Sequence, residues 1–166
     1  MIAILHADRE WGIGKKNGLM FSLPLDMKFF RETTLNKVVC MGYNTLLSLP
    51  KSQPLKNRTN VVLCMEDVSI DGCVCVHSVS ELLSFVKKFN TNDVFIIGGA
   101  SVYKTMLPYC DKVYLTKVDA VGNAEVFFPN LDEHEDFKCI SESEVINDNG
   151  YNIKFTTYLN LNVKQF

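Results

Sequence analysis

Asp26 is the first residue of the chain placed to do chemistry. It stands two residues after Pro24 and beside Met27, Phe29 and Phe30. In the first turn of a helix an aspartate complements the helix dipole and needs no other purpose. In an apolar cleft the same carboxylate can bind a basic heterocycle or pass it a proton. Residue type alone leaves both readings open. Arg58 stands among polar residues ahead of an apolar run. Its planar fork suits a carboxylate, although an exposed arginine fits the same spacing. Gly98-Gly99 and Gly42-Tyr43-Asn44-Thr45 each follow an apolar run. Glycine there lets backbone N–H groups approach a phosphate, and a helix start favours the anion. Neither segment has the G-x-G-x-x-G or P-loop pattern, so a tight turn without a ligand is the alternative. Trp11, the one tryptophan, lies between Glu10 and Gly12 as either a lid side chain or a surface anchor.

The elements that must position these residues can be read from periodicity and punctuation. Residues 1–7 form a short apolar strand, followed by a loop marked by Gly12, Gly14 and Gly18. Ser22-Leu23-Pro24 reads as a helix start, and the helix runs over residues 25–34 with Met27, Phe30 and Phe29 facing inward. Strands are predicted at 37–41, 59–65, 73–77, 93–97 and 112–118, with short helices at 45–49 and 101–107. Ser78 and Glu81 match a capping box, and Val79, Leu82, Leu83 and Val86 repeat at helical spacing. Residues 137–144 and 151–161 alternate as an antiparallel pair would. Strand and helix alternate only as far as residue 118. The expected fold is therefore α/β: one domain over residues 1–166, a mostly parallel twisted sheet, about four helices and an antiparallel C-terminal hairpin. Ligands of such sheets bind at the carboxyl ends of the strands. That brings together the loop after Ala7, the turn at Gly42 and the turn at Gly98-Gly99.

Composition narrows the classes of function. The chain has 166 residues, 47% hydrophobic, 22% charged and 11% aromatic, which excludes disorder, collagen and coiled coil. No apolar run approaches the roughly 18 residues of a membrane span, and the N-terminus lacks the order of a signal peptide, so a cytoplasmic location is expected. Residues 1–60 hold nine Lys/Arg against four Asp/Glu, and residues 61–166 hold eight against fifteen. A basic first part suits an anionic ligand, and chance asymmetry of a solvated surface is the alternative. The positive charges are scattered and not interleaved with aromatics, so no nucleic-acid partner is expected. The cysteines (40, 64, 73, 75, 110 and 139) include no C-x-x-C pair, and the three histidines are far apart. No metal is expected, and Cys40 and Cys64 read as small buried hydrophobes with free thiols.

At this point the segments line up with one family. Residues 12–19, 23–30, 34–45, 54–60 and 96–103, with Val113-Tyr114-Leu115-Thr116 and Phe127-Phe128-Pro129, resemble the ordered motifs of the dihydrofolate reductases. The match is collinear to Pro129, and the order and spacing of seven motifs are far more specific than any one. The resemblance implies reduction of dihydrofolate to tetrahydrofolate by hydride transfer from NADPH, supplying one-carbon and thymidylate metabolism, usually by a monomer that also binds antifolates. It assigns Asp26 and Thr116 to the pterin and to the proton step. It assigns the Ile4 and Ile97 carbonyls to the pterin edge, Met27, Phe30, Leu49 and Leu55 to the walls, and Arg58 to the glutamate carboxylate. Gly42, Tyr43, Asn44, Thr45, Cys64, Met65, His77, Gly98, Gly99, Ala100, Ser101, Val102 and Tyr103 would meet the cofactor. The loop Trp11–Phe21, carrying Ile13, Gly14, Leu19 and Phe21, would close over the nicotinamide and exclude water.

The chain departs from the family pattern in identifiable places. Phe21 replaces a tryptophan and so lacks the indole N–H donor; Met20 replaces a proline, and Leu19 the gating methionine. His6 occupies a usually small position near both pterin and nicotinamide. None of Tyr43, Asn44, Cys64, Met65, His77 and Ser101 is Arg or Lys, although family members commonly place basic or hydroxyl residues there to hold the 2′-phosphate. The expectation is a weakened preference for NADPH, with some use of NADH. Two other readings fit parts of the pattern: a related reductase of another pterin or a pyrimidine, and a non-catalytic homologue that binds folate or nucleotide.

Overall fold

β1 (Ile2–Ala7), β3 (Val38–Gly42), β4 (Thr59–Leu63), β5 (Cys73–Val76), β6 (Val94–Ile96) and β7 (Lys112–Val118) are near-continuous apolar runs, as strands covered on both faces must be. The computed structural model describes all residues, Met1–Phe166. These six strands run parallel in the order β7-β1-β6-β3-β4-β5. β11 (Tyr151–Asn160) pairs antiparallel with β7. Its far edge is shared by β9 (Phe137–Glu142) and β10 (Ile146–Asp148), with an irregularity between Thr157 and Tyr158. The expected hairpin is thus present, with β10 as a further short strand. A two-stranded ribbon, β2 (Gly12–Gly14) with β8 (Val126–Phe127), stands apart.

Four helices complete the α/β fold: α1 (Pro24–Thr34), α2 (Tyr43–Ser48), α3 (Val79–Val86) and α4 (Ala100–Met106). Strand alternation divides the core between the two faces of the sheet. Ile2, Ile4, Val39, Met41, Val62 and Phe95 meet Leu46 of α2 and the half-buried Phe29 and Phe30 of α1. Ala3, Ala7, Cys40, Val61 and Ile96 meet Leu82 and Val86 of α3 and Val102, Tyr103 and Met106 of α4. The capping box of α3 forms with one change. The Glu81 N–H donates to Ser78 Oγ at 3.1 Å, but the Glu81 carboxylate accepts from His77 N–H rather than from Ser78.

Two expectations about burial need correction. Met27 does not face the core; it is 44% exposed, because the helical turn that buries Asp26 and half-buries Phe29 and Phe30 rotates it outward. Cys64 is only half-buried, since it lies just past the end of β4, whereas Cys40 and Cys110 are fully enclosed. All six thiols are free. No helix is long and apolar enough to cross a membrane.

Candidate active site

The position of Asp26 is set by the start of α1. Pro24 begins the helix, but Leu23 offers no side-chain cap. The cap comes from Asp148 of β10, whose two carboxylate oxygens accept the Leu25 and Asp26 backbone N–H groups at 3.1 and 3.0 Å. A carboxylate at a helix N-terminus satisfies unpaired donors and complements the dipole. Asp26 is thereby turned toward the sheet, and only 8% of it remains exposed. The Thr116 hydroxyl donates to its Oδ1 at 2.7 Å, and His6 Nδ1 lies 3.1 Å from its Oδ2. His6 and Thr116 are register partners on β1 and β7, so a single rung across two neighbouring strands holds the two oxygens. Asp26 is therefore no mere complement to the helix dipole. His6 Nε2 is buried with no hydrogen-bond partner, a state that costs about 1–3 kcal/mol until something fills it.

The two glycine turns meet at the carboxyl ends of β3 and β6. Gly42 N–H donates to Gly98 O at 2.9 Å, and the Gly98–Gly99 peptide is cis. Gly98 has φ +127°, a conformation that favours glycine. A Cβ on Gly98 or on Gly99 would lie 3.4 Å from Thr45 Oγ1, so the glycines leave open space next to that hydroxyl. Tyr103 supports the turn from below. It is 5% exposed, packs on Phe128, and its hydroxyl donates to Ile4 O at 2.7 Å. Burial pushes that phenol well above its ordinary range, with the charges of Cys110 and Asp26 adding to it. At the outer strands, Cys64 and His77 lie side by side, with Cys64 O 3.2 Å from His77 Nδ1. Neighbouring parallel strands are about 4.8 Å apart, so the line from Gly42 on β3 past Cys64 to His77 covers two strand steps, about 10 Å. No Lys or Arg stands at Tyr43, Asn44, Cys64, Met65, His77 or Ser101 along it.

The loop between β2 and α1 carries exposed residues and one buried ring. Leu19 is 62% exposed, while Phe21 is 7% exposed and packs on Tyr151 at 4.9 Å and His6 at 6.0 Å between ring centroids. Gly122 lies close beside it: a Cβ there would lie 2.8 Å from Met20 Sδ and 3.0 Å from Phe21 Cζ, so the Met20 side chain would have to shift. Asp8, a buried carboxylate, ties this region together by accepting the Glu10, Gly12 and Gly122 N–H groups. The loop reaches α2 through Asn17 Nδ2, which donates to Asn44 O at 3.3 Å. Trp11 is an anchor rather than a lid. It packs edge-on to Tyr158, with Lys117 over its ring.

Arg58 sits just ahead of β4, against the C-terminal end of α1. Its guanidinium donates to Thr34 Oγ1, Lys56 O and Arg31 O at 3.2, 2.7 and 2.8 Å. All three acceptors are neutral, and no carboxylate of the chain pairs with it. Burial, and then the charge of Arg31, hold the Arg58 value below the usual guanidinium range. The result is a fixed cation without a counter-ion. Buried Asn60 keeps the adjoining loop in shape, with its side chain bonding Leu55 N–H and O at 3.0 and 2.9 Å. Leu49, Leu55 and Phe30 are half-buried against the same part of the core, and Met27 is open to solvent. The eight residue steps of α1 from Asp26 to Thr34, beside Arg58, span about 12 Å.

Comparison with known proteins decides the family. The family model described as dihydrofolate reductase matches residues 1–160. This chain belongs to the dihydrofolate reductase family. It is 33% identical to dihydrofolate reductase of Bacillus subtilis (strain 168) over 95% of this chain and 94% of that one. It is 36% identical to dihydrofolate reductase of Haemophilus influenzae over 74% of each. Among solved structures it resembles dihydrofolate reductase from Enterococcus faecalis in complex with NADP(H) and RAB-propyl. The TM-score is 0.85, the identity 31%, and the coverage 96% of this chain and 95% of that chain.

Several residues that shape the reductase-family site give no local signal. Asp148 acts from 122 positions away in sequence. Arg31 reads as an ordinary polar residue until the loop carrying Arg58 folds back on α1.

Proposed function

We propose that this chain reduces 7,8-dihydrofolate to 5,6,7,8-tetrahydrofolate with NADPH as its cofactor, feeding one-carbon and thymidylate metabolism. The observation that carries this reading is the buried Asp26 carboxylate, held on both oxygens by Thr116 and His6. Dihydrofolate carries a nitrogen-rich ring at one end and carboxylates at the other. The cleft is complementary, with an acceptor at Asp26, apolar walls, and an unneutralised cation at Arg58.

Bound NADPH supplies the hydride. Asp26 accepts the ring N–H and amino groups of the pterin, since each carboxylate oxygen keeps a free lone pair. Thr116 holds that carboxylate in orientation. The Ile4 and Ile97 carbonyls line the ring edge, and Ile4 O still has capacity beside the Tyr103 hydroxyl. Met27, Phe30, Leu49 and Leu55 wall the middle of the substrate, and Arg58 pairs with its carboxylate. The open glycine turns at Gly42 and Gly98-Gly99 and the Thr45 hydroxyl fit a bound dinucleotide. The Leu19 loop, with Phe21 beneath it, excludes water from the reacting rings. The basic partner that a 2′-phosphate usually finds is missing, which supports some use of NADH. The chain works as a cytoplasmic monomer, residues 1–166 forming one domain, and antifolates enter the same cleft.

The test is stoichiometry. NADPH consumed and tetrahydrofolate formed are expected in a one-to-one ratio. Tight folate binding with no product would instead support the non-catalytic reading.

A further inference from the structure

Ile2, Ile4 and His6 leave β1 on the same face of the sheet, so alternation aims the imidazole at α1. His6 is the only ion-pair partner of Asp26; no Lys or Arg reaches that carboxylate. An ionised carboxylate has no proton to give, so Nδ1 carries the proton in the 3.1 Å contact with Oδ2. Nε2 is then a bare lone pair on the neutral ring or an N–H on the charged ring. It is buried, and no atom of the chain bonds it.

We propose that His6 is a proton-holding partner of Asp26, and that the pair stores the proton which the reduction consumes. This rests on the dihydrofolate reading of the site. The reduction adds a hydride to one carbon of a C=N bond of the substrate and a proton to its nitrogen. The proton enters from water and is held on the imidazole–carboxylate pair. It leaves the pair through water beside the substrate ring: the bond between that proton and the pair breaks, and an N–H bond forms on the C=N nitrogen, while Asp26 stays on the ring N–H and amino groups. The pair returns to a neutral imidazole and an ionised carboxylate, and water restores the proton. Only the nicotinamide is oxidised. His6 acts through Asp26 and is a positioning residue in that sense.

No other charged side chain is ion-paired with His6 or Asp26. α1 contributes Asp26, and β7 contributes only the Thr116 hydroxyl. α4 contributes Tyr103, whose hydroxyl stays protonated on Ile4 O. β10 contributes Asp148, engaged behind the helix start. The loop before α1 contributes the Phe21 ring. Two titrating groups in contact lose protons in steps that belong to the pair.

The pH profile of kcat for the unmodified chain, His6→Gln and His6→Ala tests the proposal. Gln keeps a donor toward Asp26 but cannot titrate. The unmodified chain is expected to show two linked ionisations and each variant one. kcat near neutral pH should fall on the order of tenfold in both variants, while KM for dihydrofolate stays within about threefold. Superimposable profiles for the unmodified chain and His6→Gln overturn the proposal. If the unmodified chain turns over no dihydrofolate, the functional reading fails first, and NMR titration of His6 then decides the pairing. A His6 curve that is unchanged by Asp26→Asn overturns it.

Discussion

Asp148 holds Asp26 in place from near the far end of the chain, its Oδ2 accepting the Asp26 backbone N–H at 3.0 Å. Its carboxylate is the only cap on α1, and the residue is 2% exposed. Asp148→Ala leaves the Leu25 and Asp26 N–H groups unpaired, the second of them buried. The expected cost is about 2 kcal/mol, or about 4–8 °C in Tm, read by calorimetry. Turnover should fall as well, because Asp26 rides on that first turn. A Tm within one degree of the unmodified chain would show that α1 does not depend on this cap.

Arg58 separates binding from chemistry. Its neutral partners fix the guanidinium without discharging it. Arg58→Leu is expected to raise KM for dihydrofolate by about 10- to 100-fold with little change in kcat. A substrate lacking the glutamate should not distinguish the variant from the unmodified chain. Equal losses on both substrates would place the role of Arg58 in stability rather than in carboxylate binding.

The cofactor end predicts a modest preference. With no Lys or Arg along the expected phosphate path, kcat/KM for NADPH should exceed that for NADH by less than a thousandfold, about 4 kcal/mol. Tyr43→Arg should widen the ratio by adding a charge-assisted bond. A ratio of a thousandfold or more in the unmodified chain would mean that neutral donors bind the phosphate fully.

Two core thiols make the fold sensitive to alkali. Burial pushes Cys40 and Cys110 from 9.0 up to about 12. A raised folded value means that the native state holds the proton more tightly than the unfolded chain. The resulting stability is intact below pH 9 and is lost as pH rises from about 9 to about 12. For two groups the slope approaches about 2.7 kcal/mol per pH unit. Urea midpoints measured across that range should fall, and the Cys40→Ala/Cys110→Ala variant should fall less steeply. Parallel slopes would show that other groups govern the alkaline limit.

Much of this architecture is legible in the sequence because parallel strands read as apolar runs and glycine or proline ends them. β10 and the β2–β8 ribbon are not, since elements of two or three residues carry no periodicity. Asp26, Thr116 and Arg58 can be identified through the ordered family motifs. The long-range support Asp148 cannot, because a buried carboxylate gains its meaning only from the backbone it meets in space. Met27 shows the same limit from the other side: an apolar residue next to a buried one was expected to turn inward, and the 100° step of the helix turns it out.

The central claim is that Asp26 is the acid–base group of a dihydrofolate reductase. The direct measurement is the loss of absorbance from reduced cofactor on adding dihydrofolate, run with NADPH and NADH, for the unmodified chain and for Asp26→Asn. The account predicts turnover by the unmodified chain and a fall in kcat of about 100-fold or more in the variant. Equal rates in the two proteins, or no turnover with either cofactor, would contradict it.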